Sequence, residues 1–205
     1  MLFGDGSLFN RLTVSIDVIG HELTHGVVQD ESQLVYLNQS GALNESCADI
    51  FGIMVKQKLL KQNVNASNWL IGEELFAGTN LKGKALRSMA DPGTAFNDPL
   101  LGKDPQPKHM KKFVRTLSDH GGVHINSGIP NHAFYLLATD LGGNAWDSAG
   151  RIWYETLRDS RIRPNSTFQG FARRTVANAG LLFGDASNER NAVIKAWKQV
   201  GIDVP

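Results

Sequence analysis

Apolar residues return at three- and four-residue spacing along much of the chain, the signature of amphipathic helices. Ile16, Ile19, Leu23 and Val27 form the first such stripe and predict a helix over about 15–29. Val35 and Tyr36 fall in a loop. A long helix then runs from a Ser40 cap to about residue 61, turning Leu43, Cys47, Ile50, Phe51, Met54 and Val55 inward. Residues 63–122 lose the periodicity and are rich in Gly, Pro, Asn and Asp. So long an irregular stretch inside a compact unit points to function rather than slack. Helices resume after Gly121-Gly122, with Ser127 and Pro130 marking a start and 133–141 the body. Further helices are predicted over 145–159, 166–182 and 187–200, the last closed by Gly201. The pattern predicts a mainly α chain with an irregular start.

Composition narrows the function classes. The 205 residues are 41% hydrophobic, enough for one domain or one and a fraction. With 21 basic and 20 acidic side chains the net charge is +1, so bulk charge recruits neither nucleic acid nor anionic lipid. The basic residues are scattered, and the short run at 108–112 reads as a solvated loop. Cys47 is the one cysteine, which excludes an internal disulfide; in an apolar helix it reads as a small buried hydrophobe. No apolar run approaches the ~18 residues of a membrane span. Residues 2–6 read as loop rather than as an export signal, which is expected upstream if it exists. No glycine-rich phosphate loop follows a strand, so a nucleotide role has no support.

The chemistry concentrates in His21-Glu22-Leu23-Thr24-His25. Helix positions four apart share a face, so both imidazoles can aim at one point, as half of a tetrahedral zinc site. Glu22 projects beside that point, where a carboxylate can take a proton from an activated water. Alone, the motif also fits two surface histidines and a solvated glutamate. The next helix supplies Glu45 and Asp49, one turn apart in apolar surroundings (Leu43, Ile50, Phe51), where carboxylates need a buried reason to exist. One can ligate the metal and the other can accept the spare N–H of a ligand imidazole.

Together these residues resemble thermolysin and its bacterial relatives. The resemblance rests on Gly20 with His21–His25, on Ser40-Gly41-Ala42, and on Asn44-Glu45 followed by Asp49-Ile50-Phe51-Gly52. It continues through Leu86-Arg87-Ser88-Met89-Ala90-Asp91-Pro92 and Gly121-Gly122-Val123-His124-Ile125-Asn126-Ser127-Gly128. It implies zinc held by His21, His25 and Glu45, Glu22 as general base, and Asp49 as the partner of His21. It further implies Tyr36 and His124 as donors to the oxyanion, with Asp119 orienting His124. Arg87 would contact the substrate backbone just after the scissile bond. Phe9, Leu12, Val18, Ile71, Leu75 and Leu86 would line the pocket for the side chain there. The implied reaction is endopeptidase cleavage on the N-terminal side of hydrophobic residues, with Glu22 activating a zinc-bound water. The implied setting is secreted, with a cytoplasmic or periplasmic one left open.

Two departures from the family pattern shape the expectations. Only about twenty residues precede His21. The division is therefore an inter-domain segment with the zinc helix over 1–30 and a C-terminal helical domain over 31–205, the family's N-terminal β domain being absent. Either the chain is a fragment of a longer enzyme or that half arrives as another chain, a pro-segment being a further possible partner; the zinc helix would otherwise expose apolar surface. The family's paired-calcium site also looks dismantled. Asp17 and Glu73 match its acids, but Lys56 and Asn68 stand where carboxylates belong. An ammonium at Lys56 pairing with Asp17 or Glu73 could do the cation's electrostatic work, so calcium is not expected at the paired site; in this the chain resembles the protealysin-like branch, whose members depend less on calcium. The expected partner is a peptide or protein substrate, with no nucleic acid and no membrane. Two competing readings stand beside the enzyme: a truncated, inactive zinc-binding helical domain, and an interaction domain that has lost the metal.

Overall fold

The computed structural model describes residues 8–204; the expected loop at 2–6 lies outside them. The architecture is mainly helical, as the apolar periodicity predicts. Helix α1 (Ile16–Glu31) is followed by α2 (Asn38–Leu59). The irregular stretch carries two small antiparallel pairs, β1 (Leu70–Ile71) with β2 (Arg87–Ser88), and β3 (Asn97–Asp98) with β4 (Gly102–Lys103), and two single 3-10 turns, Glu73–Leu75 and Met110–Lys112. Then come α3 (Asp119–Asn126), α4 (Gly128–Leu141), α5 (Ala149–Leu157), α6 (Phe168–Phe183) and α7 (Asn188–Gln199). No helix among the described residues is long and apolar enough to cross a membrane.

Local chemistry sets the helix ends. Thr167 and Ser187 cap α6 and α7, their hydroxyls accepting from the N–H groups of Gly170 and Arg190. Ser40 does not cap α2. The helix starts at Asn38, and the Ser40 hydroxyl donates back to the Val35 and Leu37 carbonyls at 2.8 Å each. Helix α5 starts at Ala149 rather than 145, because the Asp147 and Gly150 amides turn back onto Asn144 and Ala145.

The main core lies among α2 and α4 to α7. Trp153 and Trp197 stack at its centre with ring centroids 5.8 Å apart, and Phe134 and Phe171 meet them edge-on. Cys47 is buried in the same core. A smaller cluster joins Val18, Leu75 and Phe76 with the partly buried Phe9, Leu12 and Leu86.

The stripe that predicts α1 does not face the core. Leu23 and Val27 are 61% and 40% exposed, whereas Asp17, Val18, Gly20, His21, Thr24 and Val28 are buried. The periodicity is helical, but the buried face carries the polar groups that meet α2. Val55, expected inward on α2, is likewise 44% exposed.

Two glycines let α1 and α2 approach this closely. A Cβ at Gly20 would lie 3.0 Å from the Gly52 Cα, and one at Gly52 would collide with the Asp17 carbonyl oxygen. Only backbone fits between the helices here, which brings the α1 histidines within reach of α2.

Candidate metal centre and active site

The crossing of α1 and α2 sets His21 and His25 opposite Glu45. Their ring nitrogens and a Glu45 oxygen lie within 4.8 Å of one another. The two Nε2 atoms are 3.1 Å apart, and Glu45 Oε2 is 3.4 Å from His21 Nε2. The outer nitrogens are both occupied: His21 Nδ1 pairs with Asp49 Oδ1 and His25 Nδ1 with Asn44 Oδ1, each at 2.8 Å. Holding Nδ1 this way turns each Nε2 lone pair toward the shared point. Glu45 Oε2 is buried and has no hydrogen-bond partner. An orphaned carboxylate oxygen beside two convergent imidazoles is costly unless a cation completes it. The donor set of two nitrogens and one oxygen suits zinc with a position left over.

Electrostatics agree with that fit. Burial alone would raise the Glu45 carboxyl, but His21 beside it outweighs burial and holds it at about 2. Burial alone would lower His21, but its hydrogen bond to Asp49 and the Glu45 carboxylate beside it push it up to about 9. The carboxylates that raise His21 also favour a cation between its Nε2 and that of His25. Asp49, fully buried, is held below the usual carboxylate range despite burial, chiefly by the Arg87 guanidinium. Arg87 donates to it through Nε at 2.7 Å and Nη2 at 2.6 Å, and Asn131 Nδ2 donates at 2.8 Å.

An open cavity of about 720 Å³ brings Glu22, Tyr36 and His124 together with the three candidate ligands. His124 is half exposed and carried by α3. Asp119 holds its backbone N–H through Oδ2 at 2.9 Å and its Nδ1 through Oδ1 at 2.6 Å, which leaves Nε2 toward the cavity. The tight approach comes from an unusual start to α3. Asp119, His120, Gly121 and Gly122 all have positive φ, from 50° to 83°. A Cβ at Gly121 would strike Asn38, and one at Gly122 would lie 2.8 Å from Asn126 Nδ2. Left-handed conformation at two non-glycine residues is strain of the kind held at functional sites. The Tyr36 hydroxyl donates to Glu45 Oε1 and lies 3.2 Å from His124 Nε2.

The remaining expected residues are placed as follows. Phe9, Leu12, Val18, Leu75 and Leu86 gather in the smaller apolar cluster, while Ile71 is fully buried in the main core. Arg87 spends two of its nitrogens on Asp49. Lys56 is 4% exposed, with Nζ 3.1 Å from Asp17 Oδ2, 3.1 Å from Glu74 Oε1 and 3.8 Å from Glu73 Oε2. Glu74, not singled out in the sequence, is thus nearer than Glu73, which pairs with Asn68 at 2.7 Å. Asn44, Asn131 and His120 were also missed as contact residues. Asn131 left one signal, a polar side chain in the apolar start of α4. His120 meets the Tyr36 ring edge-on at 5.6 Å, and nothing local announces it.

Comparison with known proteins follows the same lines. The thermolysin metallopeptidase alpha-helical domain matches residues 32–202, and the thermolysin metallopeptidase catalytic domain matches 1–29. An extracellular metalloprotease of Pectobacterium carotovorum subsp. carotovorum is 52% identical over 98% of this chain and 57% of its own length. Protease PrtS of Photorhabdus sp. (strain Az29) is 54% identical over 98% of this chain and 54% of its own. The solved precursor of protealysin, a metalloproteinase from Serratia proteamaculans, superposes with a TM-score of 0.94 at 55% identity, covering 98% of this chain and 62% of that one. The chain therefore spans little more than half the length of these curated relatives. With a family model covering most of its residues and a two-histidine, one-glutamate centre at the helix crossing, the chain belongs to the thermolysin metallopeptidase family.

Proposed function

We propose that this chain is the metal-bearing part of a zinc-dependent endopeptidase that cleaves peptide bonds on the N-terminal side of hydrophobic residues. One observation carries the reading: the buried, unpartnered Glu45 Oε2 beside the convergent Nε2 atoms of His21 and His25, in a cavity that also holds Glu22. His21, His25 and Glu45 would hold zinc, which supplies Lewis-acid activation at the reacting centre. Glu22 accepts the proton of the attacking water and returns it to the leaving amine. His124, kept in one orientation by Asp119, directs Nε2 at charge that develops only in the transition state. Tyr36 is the second donor, its hydroxyl poised between Glu45 and His124. Asp49 positions His21, and Arg87 fixes Asp49 while lying at the edge of the substrate site. The cluster of Phe9, Leu12, Val18, Leu75 and Leu86, tied to Ile71 through the Leu86 N–H at 2.9 Å, supplies an apolar pocket for the residue after the cut.

The same reading divides the chain at 30/31 and gives it a peptide or protein substrate. The precursor form of its solved relative supports a pro-segment as a further partner, and the extracellular naming of a relative supports secretion. Lys56 stands in for a cation among Asp17, Glu73 and Glu74, so calcium is not required there. The deciding experiment uses Glu22→Gln in the full-length protein. Zinc content stays at one per chain while peptide hydrolysis is lost. A folded variant that loses zinc, or one that still hydrolyses peptide, overturns the assignment.

A further inference from the structure

Arg161 and Arg163 lie in the loop before α6, and Arg173 and Arg174 follow one another within it. The fold gathers them around one open cavity of about 560 Å³, completed by Ser166 and Gly170 at the start of α6. Arg161, Arg163 and Arg173 are exposed and Arg174 is half-buried. Arg161 has a carboxylate partner, gripping Asp159 through Nε at 2.7 Å and Nη2 at 2.8 Å. The other three pair with no carboxylate among the described residues. Three unpaired guanidinium groups at one cavity repel one another and focus a positive potential, on a chain whose net charge is only +1.

The position of this cavity gives it a use. Pro164 lines the catalytic cavity, while its neighbours Arg163 and Asn165 line the arginine cavity. The Pro164 carbonyl is held by the Val35 N–H at 2.8 Å, and Val35 also lines the catalytic cavity. One short piece of chain is therefore a shared wall. A polypeptide leaving the catalytic cleft along Pro164 would meet the arginines next. A planar guanidinium matches a carboxylate with two parallel hydrogen bonds, whereas a neutral side chain gains nothing there. We infer that the arginine cavity is an exosite for acidic segments of the substrate chain, away from the scissile bond. The inference rests on the endopeptidase reading above.

The test uses the full-length enzyme and a set of quenched peptides with one scissile core. One carries a neutral extension at both ends, and two carry a run of glutamates at one end or the other. At low ionic strength one acidic peptide should be cleaved with a kcat/KM about tenfold above the neutral one, the size expected of a few exposed charge contacts. The gain should lie in KM and shrink as salt shortens the range of the charges. In Arg163→Glu/Arg173→Glu/Arg174→Glu it should vanish while cleavage of the neutral peptide is unchanged; the triple glutamine variant should lose most of it. Equal cleavage of all three peptides, or a preference that survives the charge reversal, overturns the exosite. If no peptide is cleaved, the endopeptidase reading fails instead. Binding of the labelled acidic peptide to the Glu22→Gln protein, measured by anisotropy, then decides the exosite by itself. Stronger binding of a single-stranded oligonucleotide to the same arginines would overturn the assignment to acidic polypeptide.

Discussion

Arg87 reaches the candidate metal centre through Asp49: its Nη2 and the Nδ1 of His21 share the same carboxylate oxygen, Asp49 Oδ1, at 2.6 and 2.8 Å. The arginine comes from β2, the aspartate from α2 and the histidine from α1, so three separate elements meet at one buried anion.

Asp49→Ala should weaken zinc binding by about 10- to 100-fold, because it frees the His21 ring and removes the acceptor that fixes its tautomer. Arg87→Met should act differently. It leaves Asp49 buried without its main cation, at a cost of about 3–5 kcal/mol to the fold. Competition titration with a chelator reads the first effect and denaturant unfolding the second. An Asp49→Ala protein with unaltered zinc affinity would remove Asp49 from the centre.

His124→Ala should lower kcat by about 10²- to 10³-fold with little change in KM, as expected for loss of one oxyanion donor. Asp119→Asn should share part of that loss, because the side chain that anchors both the ring and the backbone of His124 loses its charge. Steady-state kinetics on one peptide substrate separate the two parameters. A change confined to KM would make His124 a substrate-positioning group.

The Lys56 cluster gives a pH and calcium prediction. Burial opposes the Lys56 charge, but Asp17 and then Glu74 outweigh it and raise the amine above its ordinary 10.5. Burial opposes the Glu74 charge too, yet hydrogen bonds from Ser15 and Lys56 hold it below its ordinary 4.5. A raised lysine stabilises the fold fully below 10.5 and loses that contribution as pH climbs through the folded value. A depressed glutamate stabilises above 4.5 and loses it as pH falls through the folded value. The Tm of the parent should therefore exceed that of Lys56→Met most between about pH 4.5 and 10.5, with the gap closing at both ends. Selective calcium chelation should leave the parent Tm in place, and Lys56→Glu should introduce calcium-dependent stability. A calcium-dependent parent would refute the substitution of ammonium for metal.

Gly52→Ala should force α1 away from α2, since the added methyl meets the Asp17 carbonyl. Overpacking of this kind costs about 1–3 kcal/mol. Zinc affinity should fall along with stability, because the crossing is what aims His21 and His25 at Glu45. A variant that loses stability while keeping its zinc affinity would show that the helix approach does not set the site.

Much of this protein is decided locally and is therefore legible in the chain itself. Backbone hydrogen bonding gives helices a fixed period, so apolar spacing marks where they run, and His21 and His25 one turn apart must share a face whatever else surrounds them. Glu45 and Asp49 share a face for the same reason, and a carboxylate pair among apolar neighbours already demands a partner. Which face of α1 is buried could not be read this way: the Leu23–Val27 stripe is the more apolar one, yet packing against α2 through Gly20 and Gly52 buries the polar one. The choice of Glu74 over Glu73 beside Lys56, and the hold of Asn44 on His25 and of Asn131 on Asp49, join residues 18 to 82 apart in sequence. No spacing encodes them, because they depend on how helices approach and on how an irregular segment of sixty residues closes over them. Tertiary packing alone decides those contacts.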